Sequence, residues 1–283
     1  VRFILTVLLW LMTTVVLAVA VPAAWLQVNV IDADGYAAFT QKAATDPGLQ
    51  QAMAGELTTQ VLALADDDGL SLTPAVVRAA ANSYTRSSAF PEQFAEANRF
   101  AHRWLFTDSV TSSVDGQGRW VIDLAPMLSN NSLGQTLDSY NIDVPTSFPV
   151  PLTEDLPDVL RPGGLQQWAA WGPWVSVGAA VLTGVLALLT LAAARSRGKT
   201  LAALGVSALL VGGAGWAGLE VGRRYVDNAL NQTSGDIRTL ADSVVTQAIS
   251  SMHQWLNWSL IVGGGLVALG VVVAMLGGLR SRD

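Results

Sequence analysis

The sequence predicts an α-helical membrane protein with four transmembrane helices and an α-rich α+β extracytoplasmic domain. Three observations carry that class. Of the 283 residues, 51% are hydrophobic and only 13% are charged, about half the ~25% of an ordinary soluble domain. Four apolar runs contain no Asp, Glu, Lys, Arg or His. A long acidic segment separates the first run from the other three.

The runs are Phe3 to Ala20, Trp174 to Ala194, Leu201 to Leu219 and Ser259 to Leu279. Each approaches the roughly 20 residues that carry a helix across about 30 Å of hydrocarbon. Backbone groups in lipid must bond within the segment, so each run is assigned as a helix. Basic residues set the orientation. Arg2, Arg195, Arg197, Lys199, Arg280 and Arg282 flank ends that share one side. The positive-inside rule puts both termini and the 195–199 turn in the cytoplasm. Trp25, Trp168, Trp171, Trp174, Trp216, Trp255 and Trp258 fall near the opposite ends, as an aromatic belt does. The expectation is a multi-pass protein of the cytoplasmic (inner) membrane with its main domain outside. Residues 1–24 are read as the N-terminal anchor. Ala18-Val19-Ala20 also has the form of a signal-peptidase site. The single Arg before it and the length of the apolar run favour an uncleaved anchor. The next domain lies outside in both cases.

Residues 25–168 form the predicted extracytoplasmic α+β domain. They carry 17 acidic and 7 basic side chains, a net charge of −10. Such a surface repels the nucleic-acid backbone, so no nucleic-acid partner is expected. Asp34-Gly35 opens a short helix over 36–44. Asp46-Pro47 reads as an N-cap and first helical position, and Leu49, Met53, Leu57, Val61 and Leu64 then recur at helical spacing. Thr73-Pro74 repeats the start signal for a helix to about Arg86. Pro91 begins another, with Phe94, Ala97, Ala101, Trp104 and Leu105 along one face. Val110 to Val114 and Arg119 to Leu124 are strand-like, joined by the turn residues Asp115-Gly116-Gln117-Gly118. Pro126 opens a fourth helix. Five prolines between 145 and 162 then break up the return to the membrane.

Residues 169–283 hold the last three spans and, over 220–257, an outer amphipathic helix. Ile237, Leu240, Val244, Ala248, Met252 and Trp255 recur at three and four, a stripe suited to packing on the molecule's own outer domain. Ala214, Gly218 and Gly222 stand four apart, and Gly263-Gly264-Gly265 and Gly277-Gly278 lie in the last span. Small residues allow close helix approach in lipid, within the bundle or across a homodimer seam.

Chemistry-bearing patterns are sparse. There is no cysteine, so neither disulfides nor thiolate metal sites arise. His102 and His253 are the two histidines, and neither sits among ligand-type residues at a diagnostic spacing. Asp66-Asp67-Asp68-Gly69 and Asp32-Ala33-Asp34-Gly35 lack the full spacing of a calcium loop. No nucleophile elbow or phosphate loop occurs. The one candidate polar patch is Asn98 and His102, four apart on a helix, with Asp123 at the end of the second strand. Asp123 also fits a cap for the helix opened at Pro126. No catalytic residue, cofactor ligand or metal ligand is assigned, and no cofactor is expected. The spans carry no ionisable group, which argues against a pump or ion-coupled transporter.

Phe94 through His102 (FAEANRFAH), Trp120 through Pro126 (WVIDLAP) and the short basic turn between spans two and three carry a resemblance. In them, and in its layout of one span, a domain and three further spans, the chain resembles a group of uncharacterised actinobacterial integral membrane proteins. That resemblance implies the layout and no activity. The expected function is a non-enzymatic cell-envelope protein, a partner-binding or accessory subunit acting through the extracytoplasmic domain. Its partners would be membrane lipids and other membrane or envelope proteins. The alternatives are binding of a lipid or envelope precursor at the outer leaflet, and an enzyme using Asp123 or His102.

Overall fold

A computed structural model describes residues 2–67, 72–107, 113–114, 120–123, 149–151, 163–230 and 235–279. The helices are α1 (Arg2–Leu26), α2 (Ala33–Ala43), α3 (Pro47–Asp67), α4 (Pro74–Thr85), α5 (Phe90–Phe106), α6 (Gln166–Ala193), α7 (Arg197–Leu230) and α8 (Gly235–Leu279). A π-helical turn, Gln27–Ile31, follows α1. Three short strands, β1 (Ser113–Val114), β2 (Trp120–Asp123) and β3 (Pro149–Pro151), pair antiparallel in that order. The chain forms two compact units. One is Val1–Val30, Ala170–Asn228 and Ala248–Asp283; the other is Ile31–Ala169 and Ala229–Gln247.

Among the described residues four helices are long and apolar enough to cross a bilayer: Arg2–Ile31, Gln166–Ala193, Arg197–Asn228 and Gly235–Leu276. They contain the four runs read from the sequence, apart from the outermost residues, and define a multi-pass membrane protein. Each helix extends past its apolar run, because a helix ends where its backbone loses partners and not where hydropathy falls. The largest extension is α8. The amphipathic stretch and the last span form one helix of 45 residues, about 68 Å long at 1.5 Å per residue. No proline interrupts it.

The bundle unit is organised around glycines. A Cβ added to Gly205 of α7 would lie 2.6 Å from the Gly263 carbonyl oxygen and 2.7 Å from the Val267 nitrogen of α8. One added to Gly263 would lie 2.9 Å from the Gly205 carbonyl oxygen. Gly198 faces Gly270 in the same way, and Gly212 faces Leu256 and Leu260. The glycines that meet opposing backbone, 198 and 205 on α7 and 263 and 270 on α8, are seven apart on each helix; Gly212 continues the series and, with Gly215, receives the Leu256 and Leu260 side chains. Seven residues is close to two helical turns, so each series keeps one face toward the antiparallel partner. The glycines expected to pack, Gly218 and Gly222, instead face open space, as do Gly264 and Gly265.

Hydroxyls and one indole tie α1 to this hairpin. Trp10 Nε1 donates to the Ala203 carbonyl at 2.8 Å. Thr14 and Ser207 share a hydrogen bond of 2.7 Å. Thr13 meets Thr190 of α6 at 3.5 Å. Such bonds between helices suit a medium that offers no water in competition.

The second unit follows the predicted helices closely. Asp46 Oδ1 accepts from the Leu49 amide at 2.9 Å, an N-cap bond that starts α3. The cap of α2 is Asp32, two residues before the expected Asp34, and its Oδ1 accepts from Gly35 at 2.7 Å. The core comprises Ala43, Ala44, Leu49 and Phe90, with Met53, Tyr84, Phe94, Leu240 and Val244 packed on it. Leu240 and Val244 belong to the amphipathic stripe, so that stripe closes the core of its own unit. Tyr84 meets Phe90 edge to face at 5.5 Å and 82°.

The expected α+β class is not supported for this unit. The strands overlap the two runs read as a hairpin, but they are two to four residues long. Strands that short bury no face of their own, and the other described residues of the unit are almost all helical. β3 holds Pro149 and Pro151, which the sequence had suggested only as breakers. At the edge of a sheet, a proline's missing N–H can face away from the ladder. The fourth helix expected from Pro126 lies outside the described residues.

Candidate functional site

The polar patch expected on α5 packs against α2. Asn98 and His102 are one turn apart, as their spacing requires. Tyr36 of α2 donates its hydroxyl to Asn98 Oδ1 at 3.3 Å, and Asn98 Nδ2 donates to the Phe94 carbonyl at 2.8 Å. The amide is thereby used on both sides. His102 is only 5% exposed. Its ring stacks on Phe106 at 4.2 Å and 10°, and Tyr36 lies 5.3 Å from it on a tilted plane. Burial pushes the Tyr36 phenol, and that of Tyr84, above the ordinary tyrosine range. The structure thus joins Asn98 and His102 in one hydrogen-bonded and stacked cluster. Asp123 ends β2 opposite Pro149, and its side chain lies outside the described residues.

His102 lies between the Phe106 and Tyr36 rings, whereas a general acid or base must come within hydrogen-bond reach of the proton it moves. His253 is likewise engaged. It stacks on Trp216 at 3.7 Å and 13°, and Trp216 donates to Asn257 Oδ1 at 3.2 Å. Among the described residues no three His, Cys, Asp or Glu side chains gather as a metal site. The Asp32–Asp34 pair, weighed for calcium, is divided between a helix cap and an ion pair.

That ion pair belongs to a cleft the sequence did not reveal. Beside the histidine cluster, α2 and α5 enclose about 470 Å³ lined by Asp34, Gln41, Glu92, Gln93, Glu96 and Arg99 with several alanines. Arg99 bonds Glu96 at 2.7 Å within its own helix and reaches Asp34 at 3.3 Å. The Glu96 hydrogen bond, chiefly, raises the Arg99 pKa further, against a smaller opposing effect of burial; the charges of Glu96 and Asp34 add to the rise. The pair is exposed and contributes little to stability. Glu92 has no ion-pair partner among the described residues, and the Gln93 Oε1 atom is buried with no hydrogen-bond partner. The signal for this cleft was present in Glu92-x-x-x-Glu96-x-x-Arg99. Only the pairing of α5 with α2 turns that helical face into a concavity.

The return of the chain toward α6 is also fixed here. The Gly163 and Leu165 amides donate to the Trp104 and Leu105 carbonyls at 3.0 and 2.9 Å, satisfying two carbonyls at the end of α5. Gly163 adopts φ 70°, a conformation open to glycine at no steric cost.

Comparison with known proteins found no matching family model, no matching curated protein and no matching solved structure.

Proposed function

We propose that the chain is a non-enzymatic accessory subunit of a membrane assembly in the cell envelope, engaging its partner through the α2–α5 cleft. In this reading the second unit is extracytoplasmic, both termini are cytoplasmic and the membrane is the inner membrane of an actinobacterium. The three further spans and the sequence segments around FAEANRFAH and WVIDLAP support that origin.

The cleft carries the reading. Its lining has three carboxylates against one guanidinium, so it suits a basic segment of another protein. Two findings count against the enzyme reading: His102 is enclosed, and both ends of the Asn98 amide are engaged by Tyr36 and the Phe94 carbonyl.

Two measurements test the proposal. The chain has no cysteine, so single cysteines report topology cleanly. A membrane-impermeant maleimide should label Gln51→Cys in intact cells and Ser196→Cys only after lysis. The reverse pattern would overturn the orientation. Purification from native membranes in mild detergent should retain a stoichiometric membrane partner, which Glu92→Arg releases. A clean monomer or homo-oligomer would overturn the accessory role.

A second reading, lipid or precursor handling at the outer leaflet, has its own support. Trp168, Trp171 and Trp174 are 63%, 69% and 76% exposed, as expected of indoles lying among lipid headgroups.

A further inference from the structure

We propose that Arg223, Arg224 and Asp227, near the end of α7, form a binding site for a phospholipid headgroup that carries both a phosphate and a primary ammonium. The two arginines are exposed. Among the described residues neither makes an ion pair. Glu220 and Asp227 flank them at the three- and four-residue spacings that make side chains neighbours on a helix. Both carboxylates are nevertheless unpaired among the described residues. The helix surface therefore offers separate positive and negative positions, about 5–6 Å apart, and its own charges do not cancel them. An ethanolamine phosphate complements both.

Depth selects a lipid over the surface of another protein. The apolar run Leu201 to Leu219 is about 28 Å long at 1.5 Å per residue, close to the ~30 Å of hydrocarbon. Arg223 and Arg224 follow it by four and five residues, a rise of about 6–7 Å. The headgroup layer is about 5–7 Å deep on each side. Side chains on a helix lean toward its N-terminus, here back toward the apolar run. The guanidiniums are thereby carried to the level of the phosphates, where each can give two parallel hydrogen bonds. Asp227 lies one turn farther out, on the side where a headgroup holds its ammonium. Trp216, 41% exposed, precedes Arg223 by seven residues on the same face, and Tyr225 is 73% exposed. Both rings suit this boundary. At this end of the four apolar runs no other basic residue lies within ten positions, so the cationic point belongs to α7 alone.

The site requires α7 to lie in a bilayer, and the test separates the two claims. The full chain in liposomes is first washed with alkaline carbonate. Release into the supernatant would overturn the membrane assignment, and the site with it. The delipidated full chain in mild detergent is then titrated with phosphatidylethanolamine, phosphatidylcholine and phosphatidylglycerol of matched acyl chains, and bound lipid is counted by native mass spectrometry. Phosphatidylethanolamine should bind tightest, because the choline nitrogen has no hydrogen to donate and glycerol has no charge to offer Asp227. Arg223→Gln and Arg224→Gln should each weaken it about fivefold, the weight of one basic residue at a lipid surface. Asp227→Asn should remove the advantage over phosphatidylcholine and leave phosphatidylcholine binding unchanged. Arg195→Gln, at the opposite end of the apolar runs, should leave the ranking as it was. Equal affinities, a ranking led by another lipid, or a preference that survives the double variant Arg223→Gln/Arg224→Gln would overturn the site and leave the membrane assignment intact. The wild-type ranking decides the matter even if a variant fails to fold.

Discussion

The two units of this protein are held together by opposite means. The second unit fills its interior with large side chains: Phe90 and Leu49 are almost wholly enclosed, and Tyr84, Phe94 and Leu240 press on them. The bundle instead removes side chains, so that the backbone of α7 meets the backbone of α8 at Gly205 and Gly263. The contrast follows from the solvent. Water drives apolar side chains together, and burying a phenylalanine stabilises by about 1.5–3 kcal/mol. Lipid is as apolar as leucine and supplies no such drive. Helices there gain by close contact and by hydrogen bonds, which small residues and hydroxyls provide.

The sharpest way to break this comparison is Phe90→Ala. Its cost should fall in the range of about 3–5 kcal/mol for a large aromatic deleted from a core. Hydrogen exchange should show α3, α4 and α5 opening while α7 keeps its protection. Opening of both units together would mean that they do not fold by separate rules.

Gly205→Ala comes next. A single methyl placed against backbone atoms forces the helices apart, at about 1–3 kcal/mol for overpacking. Gly213→Ala, which meets nothing within 4 Å, should leave stability unchanged or slightly raised. Unfolding titration in mixed detergent would compare the two. Ala is the better helix former at both positions, so equal losses would show that the close approach at Gly205 is not what sets the cost.

The smallest effect belongs to the hydroxyl pair. A double-mutant cycle on Thr14→Val and Ser207→Ala should give a coupling of about 0.6 kcal/mol, the average for hydrogen bonds between membrane helices. A coupling near zero would leave the 2.7 Å contact as geometry without energetic weight.

Much of the architecture was legible in the sequence. The four spans follow from uncharged runs, α3 follows from the Asp46 cap before Pro47, and α4 follows from Pro74 in its first turn, Thr73 making no side-chain cap bond. What escaped notice depends on pairing. With 26 glycines in the chain, a spacing of four at Ala214, Gly218 and Gly222 was easy to find. The working spacing of seven is split over two helices, and it acquires meaning only when they lie antiparallel. Likewise Glu96 and Arg99 carry no distinguishing pattern along α5, and only the packing of α2 brings Asp34 beside them. Asn98 and His102 were correctly placed on one face. That they are spent on Tyr36, Phe94 and Phe106 could not be read from α5 alone. Proline at 149 and 151 signals a breaker in isolation and is tolerated at a sheet edge in context.

The glycine seam between α7 and α8 has one more consequence. Its teeth recur every seven residues, at Gly198 and Gly205 against Gly263 and Gly270. Sliding one helix past the other by a single residue would drive Cβ atoms into the opposing backbone. The next alignment that brings glycine back against glycine lies a full repeat away, about 10 Å along the axis at 1.5 Å per residue. The hairpin therefore has no continuous sliding coordinate. Its two helices can hold their register or separate, and any motion between them is a step and not a drift.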